Sequence, residues 1–423
     1  MSFAGLEPRS FLLSLFHAAV DAASPAICVP PNLPDAPAGR TIVVGAGKAA
    51  AAMAKAVEDH WAGPLSGMVI TRYGHGVPTR DVEVVEAGHP VPDEAGQAAA
   101  AKMLESVRGL TRDDLVLALI SGGGSSLFAL PAHGLTLADK QAVTRGLLTS
   151  GAPISDINCV RKHLSAVKGG RLALAAQPAA IASLIISDVP GDDPAIVASG
   201  PTVPDPTTRA QALAILERHG IALPPSVAAW LRNPASETPK PGDPAFARVQ
   251  NRIVARARDA LVAVSRRIEA QGLPVIDLGD AIEGEAREVA REHAQLALHH
   301  AREGRACVLL SGGETTVTVK AKGRGGRNSE YLLALAIALD GRPGIWAIAC
   351  DTDGIDGTET NAGALISPDT LARARQCGAD AQAALQGNDA YGFFQSLGDL
   401  VETGPTRTNV NDLRAILIRP DRG

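Results

Sequence analysis

Short apolar runs, glycine-rich polar clusters and stretches of helical period follow one another along most of the chain. The runs Thr41–Val44, Leu115–Ile120, Ile181–Ile186, Val308–Leu310 and Ile345–Ala349 each lead into a cluster of glycine, serine or aspartate. Runs of this length that end on a polar turn read as buried parallel strands. Gly67–Thr71, Asn251–Ala255, Pro274–Leu278 and Leu413–Ile418 read as further strands. Helical period covers Ala49–Trp61, the stretch up to Ala270, Glu283–Arg302 and Ser329–Leu339. The apolar segment Phe11–Ala23 is interrupted by His17 and Asp21 and preceded by Glu7 beside Arg9, so it reads as an amphipathic helix and not as a signal peptide. Strand–helix alternation predicts an α/β protein with largely parallel sheets and a Rossmann-like first domain. Ligands of such sheets bind beyond the carboxyl ends of the strands, where the five polar clusters fall.

A length of 423 residues allows two or three domains. Six prolines between Pro224 and Pro244 interrupt the rhythm. The expected division is therefore residues 1–240 and 245–423, with the helix within residues 1–40 able to pack on the second domain. A net charge of −5 and an aromatic content of 3% offer neither a basic surface nor stacking platforms for nucleic acid. No apolar run reaches the length of a membrane span. The five cysteines form no C-x-x-C pair and read as reduced, buried thiols, which places the chain in the cytoplasm.

The polar clusters carry the candidate chemistry. Gly45 and Gly47 fit a loose dinucleotide fingerprint, but the second strand ends in Thr71-Arg72 where an acid should meet the ribose. This disfavours NAD and leaves NADP as the weaker option. Lys48 stands where an anion would sit on a helix amino terminus. Gly122, Gly123 and Gly124 form an anion nest with Ser125 and Ser126, and Leu127 breaks the nucleophile-elbow pattern. Arg161, Lys168 and Arg171 share a helix face suited to phosphates, while His163 reads as a packing histidine. Asp188 follows a strand directly and is a candidate base or metal ligand; Asp192 and Asp193 read as helix caps. Arg324 and Arg327 lie among glycines before a helix that Asn328 or Ser329 would cap. Asp351 and Asp353 suit magnesium, which needs only one or two carboxylates beside substrate phosphates. His293, His299 and His300 lack zinc spacing and read as helix surface. The inventory is that of a phosphate-handling α/β enzyme.

In this order the motifs resemble the class II glycerate kinases, whose C-terminal region is called the MOFRL domain. The carrying residues are GAGKA (45–49), SGGGSSL (121–127), NCVRKHLSAVKGG (158–170), SDVPGDDPAIVASGPT (187–202), SGGETTVTV (311–319), GRGGRNSE (323–330), DTDGIDG (351–357) and GPTRTNVNDL (404–413), which span almost the whole chain. The resemblance implies two α/β domains with the active site in the cleft between them. It implies Mg2+-dependent transfer of phosphate from ATP to the 2-hydroxyl of D-glycerate. Carried over by position, Lys48, Asp188 and Arg327 would be catalytic. Gly45, Gly47, Gly123, Gly124, Ser125, Ser126, Asn158, Arg161, Lys162, Arg324 and Glu314 would hold substrate or phosphate, and Asp351 and Asp353 the metal. Arg407 puts a bulky cation at a position that varies in the family. Partners are then small molecules, with a homodimer compatible and neither nucleic acid nor membrane expected. Some members carry the name hydroxypyruvate reductase from tartrate degradation genes. An NAD(P)H-dependent hydroxypyruvate reductase and a non-catalytic binder of phosphorylated metabolites are the alternatives.

Overall fold

The computed structural model of the chain describes residues 7–420. They form two compact units: Pro25–Val254, and a second that joins the described residues up to Ser24 to those from Ala255 onward. The units part beyond the proline-rich stretch rather than within it. The reason is that the stretch is tied down in the first unit: Arg171 donates to the carbonyls of Ser236 and Glu237, and Thr238 donates to Asp205.

In the first unit, strands β1 (Thr41–Ala46), β2 (Ser66–Arg72), β3 (Val82–Ala87), β4 (Leu115–Ile120), β5 (Ala180–Ile186) and β6 (Val249–Ala255) form one sheet. Their order is β3-β2-β1-β4-β5-β6, the arrangement of dinucleotide-binding folds. β1 pairs in parallel with both β2 and β4, and β2–β3 and β4–β5 are parallel as well. Every residue of β1 and β4 is buried, as the apolar runs require. Val44, Ile70, Met103, Val116 and Phe128 share the core on one face. Strand order reverses between β1 and β4, and ligands of such sheets bind at the carboxyl ends beside that reversal.

The second unit contains β7 (Val275–Asp277), β8 (Gly284–Glu285), β9 (Cys307–Gly313), β10 (Thr315–Thr316), β11 (Ile345–Asp351), β12 (Gly363–Ile366), β13 (Leu400–Val401) and β14 (Asp412–Ile418). β8 and β10 make a separate short ladder; the others form a sheet in the order β13-β12-β11-β14-β9-β7. This sheet is mixed, which corrects the expectation of a largely parallel one. β7 and β9 are parallel, but β14 is antiparallel to both β9 and β11, and β12 is antiparallel to β11. The crossover reading is locally sound, because β9 and β11, linked through the helix Arg327–Leu339, point the same way. β14 then slots between them in the opposite direction. Helices Ala286–Arg302 and Arg327–Leu339 supply the core, with Leu332, Leu335, Phe394 and Ile416 among its residues. The N-terminal helix Pro8–Ala22 buries Phe11, Leu12, Leu15 and Phe16 in this unit and is pinned by Arg9 to Asp399 at 2.8 Å. No single helix among the described residues is long and apolar enough to cross a membrane.

The fold changes two readings of the sequence. Cys28, Cys159, Cys307 and Cys350 are buried, but Cys377 is exposed because it closes a short surface helix. His293 is not on the helix surface. It lies on the buried face of Ala286–Arg302, its Nδ1 2.8 Å from the Tyr331 hydroxyl. Burial, reinforced by the charge of Arg414, pushes the His293 imidazole down to about 4. The unfolded chain therefore takes up a proton before the folded one does. The stability His293 contributes is complete above about pH 6.5 and is lost as pH falls toward 4. The expected loss over that window is about 3 kcal/mol. Chemical denaturation between pH 7 and 4 should show this slope and its disappearance in His293→Gln; parallel curves for the two proteins would refute the assignment.

Candidate functional site

At the carboxyl ends of β1 and β4 the backbones approach too closely for side chains. A Cβ on Gly45 would lie 2.3 Å from the Leu119 carbonyl oxygen, and one on Gly47, where φ is +143°, would lie 2.1 Å from Ser121 Oγ. The contact fixes the turn that follows. Lys48 N–H donates to the Gly122 carbonyl at 2.8 Å, and Ala49 N–H donates to Ser121 Oγ at 3.0 Å. Lys48 is thereby held beside the second glycine turn. A Cβ on Gly123 would meet Lys48 Cγ at 3.3 Å and His89 Nε2 at 3.0 Å.

Gly123 itself is left-handed (φ +77°) and leads into the single helical turn Gly124–Leu127. Ser126 Oγ closes back on the Gly123 carbonyl, and Ser125 Oγ lies 2.8 Å from Ser199 Oγ. Ala198 and Ser199 both adopt positive φ (50° and 61°), a costly conformation for residues with a side chain. The buried Lys168 holds it in place: its ammonium donates to the carbonyls of Ser125 at 2.7 Å and Ala198 at 3.4 Å. Asp188, half-buried, follows β5 by two residues, at the same end of the sheet.

The helix Ile154–His163 separates residues that share a motif in the sequence. Arg161 lines a cavity next to Ser125 and Ser126. Lys162 is buried and points to Asp205 at 3.4 Å, so its charge is matched within the fold. His163 packs as expected, with Nδ1 2.8 Å from the Cys159 carbonyl. Asn158 lies half-buried on the same helix.

In the second unit Arg327 is a hub. Its guanidinium donates to Asp412 at 2.9 Å, to Asp351 at 2.8 Å and to Glu314 at 2.7 Å. These three carboxylates raise it well above the ordinary arginine range despite burial. Asp412 also accepts from Asn328 Nδ2 at 2.8 Å and from the buried Arg414 at 2.6 Å. The helix that begins at Arg327 is not capped by Asn328 or Ser329, as the sequence suggested. Asp356, from the loop after β11, accepts from the backbone N–H groups of both residues and from Ser329 Oγ. Burial raises the Asp356 carboxyl. Arg324 faces elsewhere: its guanidinium lies 4.6 Å from the Tyr391 ring centroid and 3.6 Å from Glu359. Arg407, at φ +62°, is exposed on the loop before β14.

Asp351 and Asp353 are both buried at the end of β11. Asp351 Oδ1 accepts from Asp353 N–H and Asp353 Oδ1 from Ile355 N–H, which fixes both carboxylates. Among the described residues no group of three or more His, Cys, Asp or Glu is arranged to hold a metal ion. The magnesium expected at this pair would need only one or two carboxylates, with phosphate and water completing its shell. Sequence reasoning passed over Asp412, Asp356 and Ser199. All three lie inside the motifs given above, but only the fold shows that Asp412 and Asp356 meet Arg327 and its helix and that Ser199 meets Ser125.

Residues 11–232 match the family described as a domain of unknown function (DUF4147), and residues 307–412 match the MOFRL family. A D-glycerate 2-kinase of Thermotoga maritima is 39% identical over 411 residues, 96% of this chain and 97% of that protein. A protein of Agrobacterium vitis with the provisional name hydroxypyruvate reductase is 55% identical over 425 residues, 99% of this chain and 96% of its own. The crystal structure of the Thermotoga maritima glycerate kinase superimposes with a TM-score of 0.88, covering 97% of this chain and 99% of that one.

Removing the hub should expose its electrostatic role. Arg327→Leu leaves Asp351 without its guanidinium and should destabilise the second unit by about 3–5 kcal/mol. Arg327→Lys keeps the charge but not the three-way fork and should lose clearly less. Urea denaturation of both variants measures the order; equal losses would show that geometry and not charge sets the effect.

Proposed function

Because the chain belongs to the class II glycerate kinase family, its DUF4147 and MOFRL regions in order, we propose that it transfers the γ-phosphoryl group of ATP to the 2-hydroxyl of D-glycerate, with Mg2+, to give 2-phosphoglycerate. The observation that carries the reading is the glycine turn Gly122–Ser126 held against Lys48. The glycine turn and the Lys48 side chain lie side by side at the switch point of the sheet, where a phosphoryl group would be bound and its charge offset. In this reading Lys48 neutralises the transferring phosphoryl group. Asp188 accepts the proton of the 2-hydroxyl as the alcohol attacks. Arg327, already engaged by Asp412, Asp351 and Glu314, orients those carboxylates instead of holding an anion itself. Ser125 and Ser126 lie against substrate or phosphate, and Arg161 against the nucleotide phosphates. Asp351 and Asp353 would hold Mg2+, whose charge would offset that of the phosphates. Lys162 and Arg324, engaged with Asp205 and with Tyr391 and Glu359, leave the set.

The name of the Agrobacterium vitis relative favours a second reading, an NAD(P)H-dependent hydroxypyruvate reductase. The end of β2 opposes it. Thr71 is fully buried there and its hydroxyl donates to the Lys48 carbonyl at 3.4 Å, so the position holds a hydroxyl already engaged and not a carboxylate for a ribose diol.

Purified protein with ATP, Mg2+ and D-glycerate, coupled directly to enolase, should give signal without added mutase, since enolase accepts only the 2-phosphate. ADP release without that signal would refute the 2-hydroxyl as acceptor. Hydroxypyruvate-dependent loss of NAD(P)H without ADP release would establish the reductase instead, and binding without turnover a non-catalytic role. Lys48→Ala and Asp188→Asn should each lower kcat roughly 10²- to 10⁴-fold with an unchanged unfolding midpoint. Near wild-type turnover in both would remove Lys48 and Asp188 from the chemistry.

A further inference from the structure

A cavity of ≈ 440 Å³ opens within the first unit beside Ser125 and Ser126. Three cations converge on it: Lys140, Arg161 and Lys168. Lys168 is 1% exposed and Lys140 8% exposed. Buried ammonium groups are normally paired with carboxylates. These are not: among the described residues no ion pair is made by any of the three, and the charges acting on the two lysines are those of the neighbouring cations. Lys140 has a single carbonyl contact, to Leu130 at 3.5 Å. Burial, with the charge of Arg161, pushes the Lys140 ammonium down to about 7. Lys168 is lowered by burial and by the charges of Lys140 and Arg161. Three basic groups gathered without a counter-charge, two of them losing protons to burial, regain charge and gain most when a polyanion binds.

The cavity also has apolar lining, from Val91, Ala129, Leu137 and Leu148. Val91 and Leu148 are 65% and 58% exposed, unusual for large aliphatic side chains. A free phosphate or a small hydroxy acid has no use for such a lining. A nucleoside triphosphate has a polyanion at one end and a flat, largely apolar base at the other.

Resting on the kinase reading above, we propose that this cavity is the phosphoryl-donor site. Lys140, Arg161 and Lys168 receive the polyphosphate, and the base lies between Val91 and Leu148. Lys140 and the apolar rim thereby acquire roles that the sequence motifs gave them no part in.

The test measures equilibrium binding to the full chain by calorimetry, with AMP-PNP and with inorganic tripolyphosphate, each with Mg2+. Lys140→Met, which fits a buried lysine's volume, should weaken both probes roughly 10- to 100-fold. The double variant Val91→Ser/Leu148→Ser alters only the rim. It should weaken AMP-PNP about 10-fold and leave tripolyphosphate within about 2-fold. Affinities for AMP-PNP within about 2-fold of wild type in both proteins, with unchanged unfolding midpoints, would overturn the assignment, as would a wild-type protein that binds no AMP-PNP. The two readings fail separately. Normal KM for ATP in a glycerate-phosphorylating Lys140→Met protein removes the cavity alone. AMP-PNP binding that depends on Lys140 in a protein inactive on D-glycerate removes the acceptor alone.

Discussion

The close approach of β1 to β4 is the constraint on which the first unit's chemistry depends. Gly45 and Gly47 let one backbone lie against Leu119 and Ser121 of the other. That contact delivers the Lys48 amide to the Gly122 carbonyl and sets the lysine beside the anion nest. A single methyl group at either glycine would collide with backbone or with the Ser121 hydroxyl, so the turn geometry is over-determined by sterics before any ligand arrives. The left-handed Ala198–Ser199 turn is a second layer of the same device. Its strain is held by a buried ammonium whose own burial is unfavourable, and both costs fall where a charged substrate would be received.

The second unit organises charge differently. Arg327 gathers three carboxylates from three separate segments, and Asp356 ties the start of its helix to the loop after β11. This cation is matched by carboxylates of the protein, whereas among the described residues Lys140, Arg161 and Lys168 of the first unit make no ion pair. A charge-matched arginine can orient and shape a site, while basic groups without a counter-charge define where anionic ligands gain most from binding.

Much of this is legible in the sequence, and the limits have physical causes. Strands with unbroken apolar runs, such as Leu115–Ile120, are placed residue for residue, because burial on both faces leaves no other pattern. The edge strand Val82–Ala87, which interleaves Glu83 and Glu86, carries a weaker signal and escapes it. The direction of β14 cannot be read at all, since an apolar run has no polarity and one of its partners lies about a hundred residues upstream. Among site residues, Lys48, Ser125 and Arg327 are readable because glycine turns mark strand ends. Lys162 and Arg324 share those motifs but turn to Asp205 and Tyr391, a choice made by packing alone. Lys140 has no motif. Its significance comes entirely from being buried near two other cations.

The placement of β14 also bears on how the protein is made. It is a central strand, paired along its full length with β9 and β11, yet it lies downstream of every strand it joins. During vectorial synthesis β9 and β11 emerge with no neighbour between them and must wait, their inner edges unpaired, until residues 412–418 leave the ribosome. The first unit, continuous from Pro25 to Val254, has no such delay. The nascent chain therefore passes through an interval with one finished half and one half holding open, apolar strand edges. It is in that interval, rather than in the mature protein, that chaperone dependence and aggregation should concentrate.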